Sequence, residues 1–186
     1  MASGQFDVRV QFKRRTDMKA LIFFFLIVVV CFSATYAGAE KVDFSGKWAL
    51  NNDKSQAGEG GGRMIAATMT VTQQGNDLTL EKLYQRQSGE EFTSTEKLTL
   101  DGKECENTVN ERTRKSTATW SEDGKQLTIA STMVFEREGN SFEIKTVEIW
   151  KLAEEGKALS IDYTSQSPRG ERKAVYAYDK VTEEKK

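Results

Sequence analysis

From residue 75 onward the chain is punctuated by Gly75, Gly89, Gly102, Gly124, Gly139, Gly156 and Gly170, most of them 13 to 17 residues apart. Glycine adopts positive φ without steric cost, so glycines at such intervals mark tight turns. The stretches between them are rich in Thr, Val, Ile, Phe and Tyr and alternate polar with apolar residues. That period of two is the signature of strands wet on one face. Each interval holds one strand of about ten residues and a turn. The longer gap from Gly102 to Gly124 holds two shorter strands around a bend near Asn110. Ten strands are expected, at 45–51, 63–73, 77–87, 91–100, 103–109, 113–121, 126–137, 141–152, 158–166 and 171–180.

Connections this short force each strand antiparallel to the last, giving an up-and-down meander. Ten strands in a row leave two unpaired edges, and curling until the first meets the last removes them. The expected fold is therefore an all-β antiparallel barrel, with an open or sandwiched sheet as the alternative. No segment after residue 40 sustains helical periodicity, and the only proline, Pro168, falls in an expected turn. The run Gly58 to Gly62 reads as a loop, and 183–186 as a solvated tail. Trp120 before Asp123-Gly124-Lys125 and Trp150 before Glu155-Gly156-Lys157 indicate repeated hairpin chemistry, not a solenoid.

The strongest apolar run, Ala20 to Phe32, lies ahead of this pattern. Lys13, Arg14, Arg15 and Lys19 precede it, and Ser33 to Ala39 follow. Basic, apolar and small residues in that order make a secretory signal segment, with cleavage expected after Ala39, or after Ala37 as the alternative. A transmembrane span needs about 20 apolar residues, more than this run supplies. A lipid anchor at Cys31 would need a small residue just before it, where Val28, Val29 and Val30 stand. Met18-Lys19 has the form of a signal start, which makes 1–17 an upstream extension. The expected organisation is a cleaved segment at 1–39 and one β domain at 40–186, secreted or periplasmic, without a stable membrane span after cleavage.

The whole chain carries 27 basic and 28 acidic residues and no histidine. Removing 1–39 takes away five basic and two acidic residues, so the remaining 147 residues have a net charge of −4. Nothing in that balance attracts nucleic acid, and the cluster Arg112, Arg114, Lys115 reads as a solvated strand face or turn. Cys105 is then the only cysteine, so an internal disulfide is ruled out within that domain. Without histidine there is no Ser-His or Cys-His pair and no ordinary zinc site. The glycine run at 58–62 lacks the closing Lys and Ser or Thr of a phosphate loop, and Asn51-Asn52-Asp53 does not continue as a calcium loop. No cofactor or metal is expected, and no catalytic residue is assigned. Paired carboxylates, for example Glu96 with Glu148, leave hydrolysis open, but so many acidic residues in one β domain make chance pairs common.

The strand phases nominate an interior. Met69 and Val71, Leu78 and Leu80, Leu98, Ala118, Leu127 and Ile129, Trp150, Leu159 and Ile161 share inward faces with Ile65, Ala67 and other apolar residues. Lys82, Glu96, Glu148 and Arg172 fall in phase with that set, as do Ser94, Ser116, Ser131 and Thr146. A purely structural core excludes unpaired charge, whereas a partly hydrated lumen holding an amphipathic molecule accommodates it. The candidate ligand-binding residues are Tyr84, Glu96, Glu148, Tyr163, Arg172 and Tyr176. One β-bulge would reverse these phases, turning Lys82 and Glu148 outward and Leu83, Val147 and Ile149 inward. Glu148 and Arg172 could instead form a structural ion pair.

Phe44-Ser45-Gly46-Lys47-Trp48-Ala49-Leu50 places a Gly-x-Trp motif on the first strand. In this it resembles the start of lipocalin-like and fatty-acid-binding-protein-like barrels, most nearly the small exported bacterial lipocalin-like domains. The resemblance implies barrel-closing roles for Gly46 and Trp48, with the tryptophan packed under an arginine from near the chain end, here Arg172 or Arg169. It implies ligand binding more than catalysis. The chain departs from the fatty-acid-binding proteins after Leu50, where the segment is too short and glycine-rich for a helical lid, and at the last strand, which lacks an Arg-x-Tyr carboxylate clamp. Asp162-Tyr163 is similar to a second lipocalin motif, but its surroundings do not fit. The leading expectation is an extracytoplasmic protein holding a small hydrophobic or amphipathic ligand; the competing one is a structural or interaction protein of the cell envelope. Oligomeric state is left open.

Overall fold

A computed structural model describes residues 40–58, 65–86, 88–137 and 139–182. The expected signal segment, most of the glycine-rich loop and the tail at 183–186 lie outside them. Ten antiparallel strands follow in order: β1 Gly46–Ala57, β2 Ala66–Gln74, β3 Asp77–Gln85, β4 Glu91–Thr99, β5 Cys105–Val109, β6 Arg112–Trp120, β7 Gln126–Arg137, β8 Asn140–Ala153, β9 Ala158–Ser167 and β10 Gly170–Lys180. A single 3-10 turn, Glu154–Gly156, joins β8 to β9. The sheet order is β4-β3-β2-β1-β10-β9-β8-β7-β6-β5, so the first and last strands pair and the sheet curls into a nearly closed, all-β barrel.

Most strand ends agree with the turn spacing to within one or two residues. The exceptions are β2, which begins at Ala66 instead of residue 63, and β1, expected to stop at residue 51, which continues to Ala57 through an irregularity between Asn51 and Gln56. Side chains supply the missing ladder there: Ser55 Oγ donates to the Asn51 carbonyl at 2.6 Å and accepts from the Ala177 N–H at 3.0 Å. A second bulge, between Ala66 and Thr68, brings Ala66 to the interior where Ala67 was expected.

One seam interrupts the barrel. β4 and β5 end the sheet order and form no strand ladder with each other. The Asn107 carboxamide fills the gap, its Nδ2 donating to the Lys97 carbonyl at 3.0 Å and its Oδ1 accepting from the Lys97 N–H at 2.7 Å. It thereby imitates the paired bonds of a backbone residue. Farther down the seam, Thr99 Oγ1 and Cys105 Sγ stand 3.6 Å apart.

The base is a solid apolar plug of Phe44, Trp48, Leu78, Leu98, Leu127, Trp150 and Leu159, all buried. Phe44 stacks on Trp120 and meets Trp150 edge-on, both at 5.8 Å between centroids. Trp48 donates its indole N–H to the Phe44 carbonyl at 3.0 Å. The cation over Trp48 is Lys180, with Nζ 5.3 Å from the ring centroid. A Cβ at Gly46 would come within 2.7 Å of Lys180 Cε, so glycine there is what lets the lysine cross to the tryptophan. Arg172 does not take this part, because it sits eight residues back along β10, roughly 27 Å away at strand rise.

Candidate ligand-binding lumen

Above the plug, alternate residues of the strands face a cavity of about 270 Å³. The interior is layered. At mid-height the inward positions are Lys82 on β3, Glu96 on β4, Arg114 and Ser116 on β6, Ser131 on β7, Thr146 and Glu148 on β8, and Tyr163 and Ser165 on β9. The positions above them are apolar or aromatic: Tyr84 on β3, Met133 and Phe135 on β7, Ile144 on β8 and Ala174 on β10. The cavity therefore has a polar patch on its floor, beside Met69 and Ile161, and a largely apolar collar that Arg172 and Lys173 interrupt.

The floor is a chain of ion pairs. Lys82 Nζ lies 3.1 Å from Glu96 Oε1, although poorly aligned for a hydrogen bond. Arg114 reaches Glu96 at 3.5 Å and Glu148 at 3.3 Å. The other Glu148 oxygen accepts from the Trp150 indole at 3.0 Å, and Ser116 and Ser131 hydroxyls pair at 2.9 Å. Side-chain exposure is 7% for Lys82, 2% for Glu96 and 11% for Arg114 and Glu148. The seam lies between β4 and β5, and β6 is the next strand beyond β5, so the Arg114–Glu96 pair spans the seam from within.

Burial alone would lower the Lys82 pKa, but the Glu96 and Glu148 carboxylates outweigh it and hold the ammonium above its ordinary range. Burial likewise works against the Glu96 carboxylate, yet Lys82 and Arg114 keep its pKa below the usual value. Glu96 is thus ionised and ion-paired, and unsuited to act as a general acid. The Tyr163, Tyr176 and Tyr178 hydroxyls are pushed up, chiefly by burial. All three remain protonated donors at neutral pH.

Tyr84, Glu148, Tyr163, Arg172 and Tyr176 all line the cavity. Glu96 stands behind its wall, bound to Lys82 and Arg114. Arg172 is exposed at the rim and does not pair with Glu148; the partner of Glu148 is Arg114. The basic cluster around Arg114 predicts a solvated face, but the side chain is 11% exposed and points inward. Its phase with Ser116 and Ala118, two and four residues on, carried the correct signal. At the mouth, Arg86 lies over Phe92, which stacks on Tyr84 at 4.7 Å, and Arg112 lies over Phe135, which stacks on Phe142 at 5.5 Å. Among the described residues, no group of three or more Cys, Asp or Glu side chains is placed to hold a metal ion.

No protein-family model matches the chain. No curated protein matches it either. Among solved structures it is similar to zebrafish ileal bile acid-binding protein complexed with cholic acid, with a TM-score of 0.50 and 18% sequence identity, covering 74% of this chain and 98% of that one. The likeness bears out the fold, an antiparallel, nearly closed ten-stranded β-barrel. At this identity the likeness speaks for the fold, and the identity of any ligand has to be argued from the lumen itself.

Proposed function

We propose that this protein binds a small hydrophobic or amphipathic molecule in the upper half of its barrel, and does so outside the cytoplasm after loss of residues 1–39. The cavity carries the reading: about 270 Å³ with apolar walls over a few convergent polar groups. Ligand pockets have that character, and this one lies just below their usual range of about 300–1,000 Å³, which favours a compact ligand. A barrel built only for stability would close over its own side chains as the base does. The zebrafish neighbour was solved with cholic acid, which accords with a barrel of this type holding an amphipathic molecule. The export half of the proposal rests on the order of charge, apolar run and small residues at 13–39.

Native mass spectrometry of the purified chain before and after organic extraction tests the binding half. A bound small-molecule mass that extraction removes is the expected result. No bound species, together with no uptake of apolar probes by the extracted protein, would reject it. N-terminal sequencing of protein recovered outside the cytoplasm tests export, with Glu40 expected first.

A further inference from the structure

The chemistry of the floor narrows the ligand class. Lys82 and Arg114 face Glu96 and Glu148, two cations against two anions, and every ion pair among them is internal to the set. Among the described residues no other charged side chain is buried. A carboxylate reaching this floor finds no spare cation: it must either displace Glu148 from Arg114 or keep its charge unpaired in a poorly hydrated space, and burial of an unpaired charge is strongly penalised. An ammonium meets the same balance with the sign reversed. Tyr84 and Tyr176, by contrast, line the cavity, and their hydroxyls make no hydrogen bond among the described residues. They can donate to, and accept from, a group that brings no charge.

Resting on the lumen reading above, we infer that the ligand enters with an uncharged polar head, a hydroxyl or an amide, set down on the charge-balanced floor of Lys82, Arg114, Glu96 and Glu148. Its apolar body lies against the collar. Two cations at the mouth could argue otherwise, Arg172 on the rim and Arg112 over Phe135, both exposed and with no ion-pair partner among the described residues. A carboxylate held there would sit in water at the mouth, where a single ion pair adds little affinity.

Calorimetric titration of the chain with 1-octanol, octanoate and octylammonium at neutral pH tests the assignment. The alcohol should bind about tenfold or more tighter than either ion. Octanoate or octylammonium matching the alcohol overturns the assignment while leaving the lumen reading intact. Octanoate binding that Arg172→Gln abolishes also overturns it, because the head then sits at the rim. If none of the three binds, the lumen reading fails and this inference falls with it. In Glu148→Gln the floor gains one net positive charge, and octanoate should improve about tenfold relative to octanol; no relative gain in a folded variant counts against the assignment. If that variant does not fold, the ranking on the native chain decides.

Discussion

Replacing Arg114 by methionine would leave Glu96 and Glu148 on one interior layer with Lys82 as their only counter-charge. Breaking a buried ion pair from one side costs on the order of 3–5 kcal/mol, far more than an exposed pair is worth. Arg114→Met should lose stability in that range by urea denaturation, and a loss below about 1 kcal/mol would mean the set is better hydrated than its burial implies. The same groups set a pH window. Glu96 has a lowered pKa when folded, so its contribution is present above its ordinary value near 4.5 and fades as pH falls through the folded one. Lys82 has a raised pKa, so its share is complete below 10.5 and is lost as pH rises through the folded value. A stability plateau from about pH 5 to 10, falling on both sides, is expected in pH-dependent thermal melts; a midpoint that climbs below pH 4 would contradict it. At the β5–β6 turn, Asn110 and Glu111 both have positive φ, 49° and 62°. Glycine suits the second position of such a turn better than a side chain with a Cβ. Glu111→Gly should therefore raise the unfolding free energy by about 0.5–1 kcal/mol, and an unchanged urea midpoint would show the turn to be unstrained.

At the scale of elements, the seam between β4 and β5 depends on one carboxamide. Asn107→Ala removes both bonds to Lys97, at about 0.5–1.5 kcal/mol for each hydrogen bond. Faster hydrogen exchange at the Lys97 amide, with slower-exchanging amides elsewhere unaffected, is the expected signature. The strands themselves were legible because glycine turns and alternating polarity are local signals, and the observed bounds of β3, β4 and β7 differ from the expected ones by no more than two residues. The extension of β1 was not legible, since Ser55 repairs the ladder with its own hydroxyl and nothing in the residue pattern announces such a substitution. The mid-height layer was half legible: phase alone placed Lys82, Glu96 and Glu148 inside, but not Arg114, whose basic neighbours outweighed its spacing. Lys180 was not legible, because the resemblance points to an arginine, while the contact needs only a cation long enough to cross Gly46.

For the whole molecule, the pairing of β1 with β10 brings Trp48 opposite Lys180, so the two ends of the domain meet at its base. Among the described residues the only unladdered boundary lies elsewhere, between β4 and β5. A circular permutant that joins Thr182 to Glu40 by a flexible linker, so that Phe44 stays in the base plug, and begins at Lys103 would therefore break no ladder at all. Its chain order would become its sheet order, with the most distant pairing of the native barrel turned into a neighbouring one. Folding speed falls as contacting residues lie farther apart along the chain, so such a rearranged protein should refold faster than the native one at similar stability, a difference stopped-flow tryptophan fluorescence would resolve.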